Sequence, residues 1–321
     1  MNKTIRAGLI GTGGISGVHL DWMKSREDVE ITALCDIDPA ALERRGSVYG
    51  GTRYADYGAM IDQEQLDAVW VCTPPLVRKG PLVMCADKGI PVFCEKPAAV
   101  DEAAASDISS ALAERGGRVM IGYPFRALPI VETLRAALAE DRIHSVQSLY
   151  MCDVSLTMGL RPWFYELDKS GGAMVDQATH VFDLLRTLMG EVGEVKAIGS
   201  NPVRQKKDGY TIDEAIGLAM LYESGAVGTH THSWVADTWR TEVLLSGEQR
   251  LYRLDLTGGS LTIAEAGRST THTYQGNLYA FENDHFAAMV TSGDWSSNLC
   301  DYDDAARSLS LTLECNRALA Q

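Results

Sequence analysis

Apolar positions in the first 123 residues fall into short solid runs separated by amphipathic stretches. The runs at 5–10, 29–35, 66–72, 91–94 and 118–123 are rich in Val, Ile, Leu and Cys and too short for helices, so they predict buried strands. Between them, 15–25, 76–88 and 101–115 carry helical patterns. Pro39 opens a further helix at its first turn, where its missing N–H costs nothing. Strand-helix-strand units repeated in this way predict a doubly wound parallel sheet covered by helices.

Beyond residue 123 the alternation changes. Helical patterns at 129–140 and 174–189 are interspersed with strand-like runs at 145–154, 214–222, 226–234, 241–245 and 251–256, which are separated by turn residues. Two more helical patterns, 278–291 and 302–320, close the chain. The expected fold class is therefore α/β: an N-terminal parallel sheet over 1–123, then a C-terminal α+β domain over 124–321 built on one large, mainly antiparallel open sheet. The length agrees, since 321 residues suffice for about two domains.

Charge and cysteine content then exclude several function classes. A net charge of −14 without a basic run argues against general binding to nucleic acid or to an anionic membrane, because both need clustered Lys and Arg. No stretch reaches the ~18 apolar residues of a membrane span. The seven cysteines are an odd number without a C-x-x-C pair, and several lie in apolar runs, so reduced core thiols are expected. With no apolar leader and cleavage site at the N-terminus, a cytoplasmic protein is expected.

The first strand runs into Gly8-Leu-Ile-Gly-Thr-Gly-Gly-Ile-Ser-Gly17, which holds five glycines in ten positions. Gly11, Gly13 and the small Ser16 make a G-x-G-x-x-G/A-like turn between strand and helix. Such a turn lets backbone approach a pyrophosphate, while the helix N-terminus offers unpaired N–H groups. The second strand ends in Asp36, 20 positions after Ser16, where a carboxylate accepts from ribose hydroxyls. Asp36 would repel a 2′-phosphate and Ile37 supplies no cation, so NAD is expected over NADP; Arg44 and Arg45 leave NADP open. Thr73 and Pro74 after the strand predicted at 66–72, and Glu95 and Lys96 after the one at 91–94, stand where open α/β sheets bind ligands.

The 174–189 helix carries further candidate chemistry. At about 100° per residue, Asp176, His180, Asp183 and Thr187 fall within an arc of about 60°, opposite Met174, Ala178, Val181, Leu185 and Leu188. Asp176 and His180, four residues apart, can act as an acid/base unit, and Gly171 and Gly172 would allow close approach at the helix start. His230 and His232 share one strand face but lack a third ligand, so no metal is expected.

The combination of "GLIGTGGIS", "ALCDIDP", "VWVCTPP", "FCEKP" and "SGGAMVDQATHVFDLLRTLMG" resembles the glucose-fructose oxidoreductase, inositol dehydrogenase and rhizopine catabolism protein (Gfo/Idh/MocA) family. That resemblance implies a Rossmann domain binding NAD (or NADP) through Gly11, Gly13, Gly14, Ile15, Asp36, Thr73, Pro74, Glu95 and Lys96. It implies catalysis by Lys96, Asp176 and His180, drawn from both domains, with Tyr123, Arg126 and Trp163 beside the substrate. The activity implied is hydride transfer between nicotinamide and a sugar, cyclitol or related polyol. Its alternatives are a tight-cofactor oxidoreductase and a non-catalytic dinucleotide-binding sensor. A homodimer or homotetramer is implied, with the last helix packing back towards the nucleotide domain. One departure stands out: the resemblance implies a histidine three residues after a Thr-Pro-Asn stretch, where this chain has Thr73-Pro-Pro75 followed by Leu-Val-Arg78.

Overall fold

The predicted apolar runs of the first half pair side by side in one six-stranded sheet. The computed structural model describes residues 4–153, 162–204 and 209–320. Strands β1 (Ile5–Ile10), β2 (Val29–Cys35), β3 (Thr52–Tyr54), β4 (Ala68–Val71), β5 (Val92–Glu95) and β6 (Val119–Gly122) are ordered β3-β2-β1-β4-β5-β6. Every pairing is parallel. Helices α1 (Ser16–Lys24), α2 (Pro39–Tyr49), α3 (Tyr57–Gln63), α4 (Lys79–Asp87) and α5 (Glu102–Ala113) connect the strands. Because both faces are covered, Leu9, Leu34, Val69, Trp70 and Phe93 are fully buried, as the solid apolar runs require. The short β3 and α3 have no counterpart in the predicted elements.

The chain divides into two compact units, 1–127 with 276–307 and 128–275 with 308–321. Aromatic packing accounts for residues 276–307 joining the first unit. Phe286 on α9 (Leu278–Ser292; α6 to α8 are defined below) stands edge-on to Trp70 at 4.9 Å and to Phe93 at 5.8 Å between ring centroids. Truncating a buried ring of this size to Ala costs about 3–5 kcal/mol.

The second unit holds an eight-stranded sheet ordered β14-β13-β12-β11-β7-β10-β9-β8. Its strands are β7 (Ile143–Asp153), β8 (Val192–Ser200), β9 (Ala215–Tyr222), β10 (Val227–Ser233), β11 (Val235–Gly247), β12 (Arg250–Asp255), β13 (Ser260–Glu265) and β14 (Arg268–Thr273). Only β7 with β10 is parallel, so the sheet is mixed but mainly antiparallel, as expected. One face is covered by α6 (Pro129–Leu138), where Tyr252 Oη donates to Ala137 O at 3.4 Å. The same face receives α8 (Thr179–Met189), whose Phe182 ring lies 4.8 Å from His230. The other face alternates outward and leaves Ile198, Leu221, Val227 and Leu251 exposed.

A short helical turn, α7 (Leu167–Ser170), precedes α8, and the last helix, α10, runs from Tyr302 to Leu319 across the boundary between the units. Among the described residues no helix is long and apolar enough to cross a membrane. None of the seven cysteines is in a disulfide, and burial pushes the thiols of Cys35, Cys85, Cys152 and Cys315 up to about 12.

Candidate functional site

The glycines between β1 and α1 serve two distinct purposes. Gly11 has φ +94°, and a side chain there would lie 2.8 Å from the carbonyl carbon of Cys72 and 2.9 Å from the amide of Thr73. Its absent side chain thus lets the end of β4 close against the turn. Gly13 and Gly14 face open space, with nothing within 4 Å of where a Cβ would stand. Ser16 is buried and donates to Gly13 O at 2.6 Å, which folds the turn onto the helix start. No side chain caps α1 at Ile15; Gly17 N and Val18 N donate to Gly14 O and Ile15 O at 3.2 and 3.0 Å, and the positive end of the helix dipole faces the turn.

Asp36 is fixed at the end of β2. Its Oδ2 accepts from Thr12 N at 2.6 Å and Thr12 Oγ1 at 2.9 Å, and its Oδ1 accepts from Asp38 N at 2.8 Å. Asp38 in turn caps α2 by accepting from Ala40 N, with Pro39 at the first helical position. Arg45 donates to the carbonyls of Gly13 and Gly14 at 3.1 and 3.3 Å, and Arg44 is exposed. Thr73 Oγ1 is buried without a hydrogen-bond partner. Open glycines, an oriented carboxylate and an orphaned hydroxyl along the same sheet edge fit a dinucleotide, which would supply the missing partners.

Arg78 resolves the departure noted in the sequence. Its guanidinium is 2% exposed and clamps two loops: Nε and Nη2 donate to Thr73 O at 3.0 and 2.9 Å, Nη2 to Lys96 O at 3.0 Å, and Nη1 to Pro97 O. It therefore ties the segment after β4 to the segment after β5, a role that sequence reasoning missed. Glu95 is buried beside it and accepts from His19 Nε2 at 2.8 Å. Burial would raise the Glu95 carboxyl, but the His19 bond and the cations of Lys96 and Arg78 outweigh it and leave the pKa below its ordinary value. Tyr123 and Arg126 follow β6 and are almost fully buried. Arg126 donates to Leu299 O at 2.6 Å, pairs with Asp304, and lies 5.8 Å from the Tyr123 ring centroid.

In the second unit, the predicted 174–189 helix begins with a π turn, Met174–Ala178, before α8 continues from Thr179. The wider turn carries Asp176, and π turns of this kind recur at functional sites. Asp176, His180, Thr187 and Leu188 are partly exposed, whereas Asp183 is 1% exposed and accepts from Ser308 Oγ at 2.6 Å. The polar arc expected from an ideal helix is thus interrupted, and Asp183 fastens α8 to the last helix. Gly171 and Gly172 both have positive φ, and side chains there would meet Val175 and Leu167. Trp163 belongs to a 3₁₀ turn, Pro162–Tyr165. Its side chain, like Arg161 and the rest of the stretch from Met158, lies outside the described residues. His230 and His232 do share a face and are fully buried, which pushes His230 down to about 3 and His232 well below its usual range.

A doubly wound sheet with an open glycine turn, a held carboxylate and ligand-facing strand ends defines a nicotinamide-dinucleotide-binding protein of the oxidoreductase class. Residues 5–123 match the family described as an oxidoreductase family with an NAD-binding Rossmann fold, and 131–261 match the GFO/IDH/MocA C-terminal domain. The chain belongs to the Gfo/Idh/MocA oxidoreductase family. It is 30% identical over 230 residues to inositol 2-dehydrogenase of Rhizobium meliloti (strain 1021), a match covering 72% of this chain and 66% of that protein. It is 26% identical to D-apiose dehydrogenase of Paraburkholderia graminis over 87% of this chain and 72% of that one. An oxidoreductase from Agrobacterium radiobacter, solved in complex with NAD+, L-tartaric acid and magnesium, shares the fold with a TM-score of 0.85 at 19% identity, over 99% of this chain and 97% of that one.

Proposed function

We propose that this protein is an NAD-dependent dehydrogenase acting on a hydroxyl-bearing carbon of a sugar, cyclitol or related polyol. The observation that carries the reading is the dinucleotide cradle: open Gly13 and Gly14, the Thr12-held Asp36, and the orphaned Thr73 hydroxyl. The related inositol 2-dehydrogenase and D-apiose dehydrogenase support the polyol class. Asp36 favours NAD, since its carboxylate accepts from the ribose hydroxyls and repels a 2′-phosphate. Arg45, engaged with the glycine carbonyls, does not offset it. Ile37, 90% exposed beside Asp36, offers an apolar wall to the adenine.

When bound, the nicotinamide supplies the hydride acceptor. His180 would take the hydroxyl proton as the alcohol carbon, losing hydride to the bound cofactor, became a carbonyl. An imidazole suits this step because its usual pKa lies near neutral pH. Asp176 orients His180 or a neighbouring hydroxyl, and Lys96 stabilises the developing alkoxide. Tyr123, Arg126 and Trp163 complete the substrate surroundings in this reading. The apolar open face of the eight-stranded sheet supports assembly as a homodimer or homotetramer, and the reduced cysteines suit the cytoplasm.

The test offers the purified protein NAD or NADP with a panel of inositols, aldoses, sugar acids and deoxy sugars, following the absorbance of reduced nicotinamide. NAD-dependent turnover of a polyol is expected. Intact NAD binding without turnover on any panel member would instead support a sensor, and preference for NADP would overturn the role given to Asp36.

A further inference from the structure

Behind the strand that ends in Glu95 lies a buried cluster of three ionisable side chains from distant parts of the first unit. His19 on α1, Glu95 on β5 and Glu282 on α9 are 0%, 7% and 1% exposed, and their nitrogen and carboxylate atoms lie within 4.8 Å of one another. A buried amide, Asn283, holds His19 from the side away from the carboxyl groups. Trp70 Nε1 donates to Asn283 Oδ1 at 2.7 Å, and Asn283 Nδ2 donates to Tyr279 O at 2.7 Å, which fixes the amide orientation. The second Nδ2 proton then reaches His19 Nδ1 at 3.0 Å. Nδ1 of His19 also lies 3.1 Å from Asn283 Oδ1, and Nε2 faces the carboxylate of Glu95, donating to Oε1 at 2.8 Å. One donor is thereby assigned to Glu95, whereas both carboxyl oxygens of Glu282 are buried without a partner.

Two adjacent buried carboxyl groups cannot both be ionised without a large desolvation and repulsion cost, and a neutral carboxyl brings its own O–H donor. We propose that Glu95 and Glu282 form a carboxyl pair of single negative charge, Glu282 keeping its proton and Glu95 its charge, and that this pair is a positioning device for the adjoining Lys96. The proposal rests on the function above only for what Lys96 does.

Charges around the pair agree with this division. Burial first, then the charge of Glu95, holds the Glu282 carboxyl well above the usual range. Lys96 and Arg78 act on Glu95 from the positive side. The Cys72 thiol feels the charge of both carboxyl groups, and burial first, then Glu95, keeps it high; burial keeps Cys94 high against the opposing charge of Arg78. The fixed Glu95 carboxylate, held by His19, sets the end of β5, while Arg78 holds the carbonyls of Lys96 and Pro97 from the other side. Glu282 fills the space against Gly122, where a side chain would come within 3.6 Å of its Oε2.

The experiment is infrared spectroscopy of the full chain across pH, with melting temperature and kcat followed on the same samples. A protonated-carboxyl C=O band should persist at neutral pH in the wild type and vanish in Glu282→Gln. Because the folded pKa is raised, the stabilisation is complete below the ordinary carboxyl range and is lost as pH rises through the folded value. Melting temperature and kcat should therefore decline on the alkaline side, and Glu282→Gln should flatten that decline. Glu95→Gln gives a second reading that does not need Glu282→Gln to fold: the Glu282 band should titrate at lower pH once the like charge is gone. Absence of the band, its indifference to both substitutions, or a stoichiometric divalent ion on the three side chains would each overturn the proposal. The band and melting curve require no substrate, so failure of the dehydrogenase reading would leave this test intact.

Discussion

Replacing Arg78 with Met removes a cation that no surface residue can stand in for. The guanidinium serves the carbonyls of Thr73, Lys96 and Pro97 in a corner where it is itself 2% exposed. A hydrogen bond from a charged donor contributes about 1.5–3 kcal/mol, and a buried acceptor left unpaired costs about 1–3 kcal/mol. With three acceptors stranded, and part of the loss offset by entering water and the apolar Met chain, the net cost is about 3–5 kcal/mol. For a unit of this size that lowers the melting temperature by about 8–15 °C. Arg78→Lys should recover only part, because a single ammonium cannot span acceptors as a planar fork does. NAD affinity should fall as well, since the Thr73 segment borders the cradle. The assay is thermal denaturation followed by NAD titration by intrinsic fluorescence. A Met variant melting within about 2 °C of wild type would refute the clamp.

The two glycine roles separate by mutation: Gly11→Ala should destabilise the protein by at least about 1–3 kcal/mol, because φ is +94° and Cys72 backbone is in the way, while Gly13→Ala should fold normally yet bind NAD poorly. Thermal melts beside NAD titrations check both. Asp36→Ala should weaken NAD about tenfold and narrow its margin over NADP; an unchanged dissociation constant would contradict the ribose contact. Glu214 is fully buried and accepts from the amides of Val203 and Arg204 at 3.1 and 2.9 Å and from Tyr210 Oη at 2.6 Å. Burial would raise its pKa, but these donors outweigh that and leave it lowered. Its stabilisation is thus present above the ordinary carboxyl range and lost as pH falls through the folded value, so Glu214→Gln should make the melting temperature less sensitive to acid.

The parallel sheet was legible because its strands are buried on both faces and read as solid apolar runs. Strand β14 was not, since Arg-Ser-Thr-Thr-His-Thr offers neither a run nor an alternation and takes its place only by pairing with β13. Strand β8 has a weak alternation interrupted by glycines, and β3 is three residues long. At the site, the turn residues and Asp36 could be read locally, because strand, turn and helix are contiguous. The π turn at Asp176 could not, as an arc drawn at a constant angle per residue presumes an unbroken α-helix. That presumption also put Asp183 on an open stripe, whereas Ser308 at the far end of the sequence buries it. His19 and Glu282 were invisible for the same reason: each is an unremarkable position on its own helix, and only tertiary packing brings them to Glu95.

Hydride transfer is read most directly by following the hydrogen itself. A polyol deuterated at its carbinol carbons is incubated with the enzyme and NAD, and the product nicotinamide is examined by NMR. Deuterium is expected at C4 of the reduced nicotinamide in wild type, and that transfer should be lost in Lys96→Ala and in His180→Ala while NAD still binds. Deuterium washed into water with no label on the nicotinamide, or transfer undiminished in both variants, would contradict this mechanism.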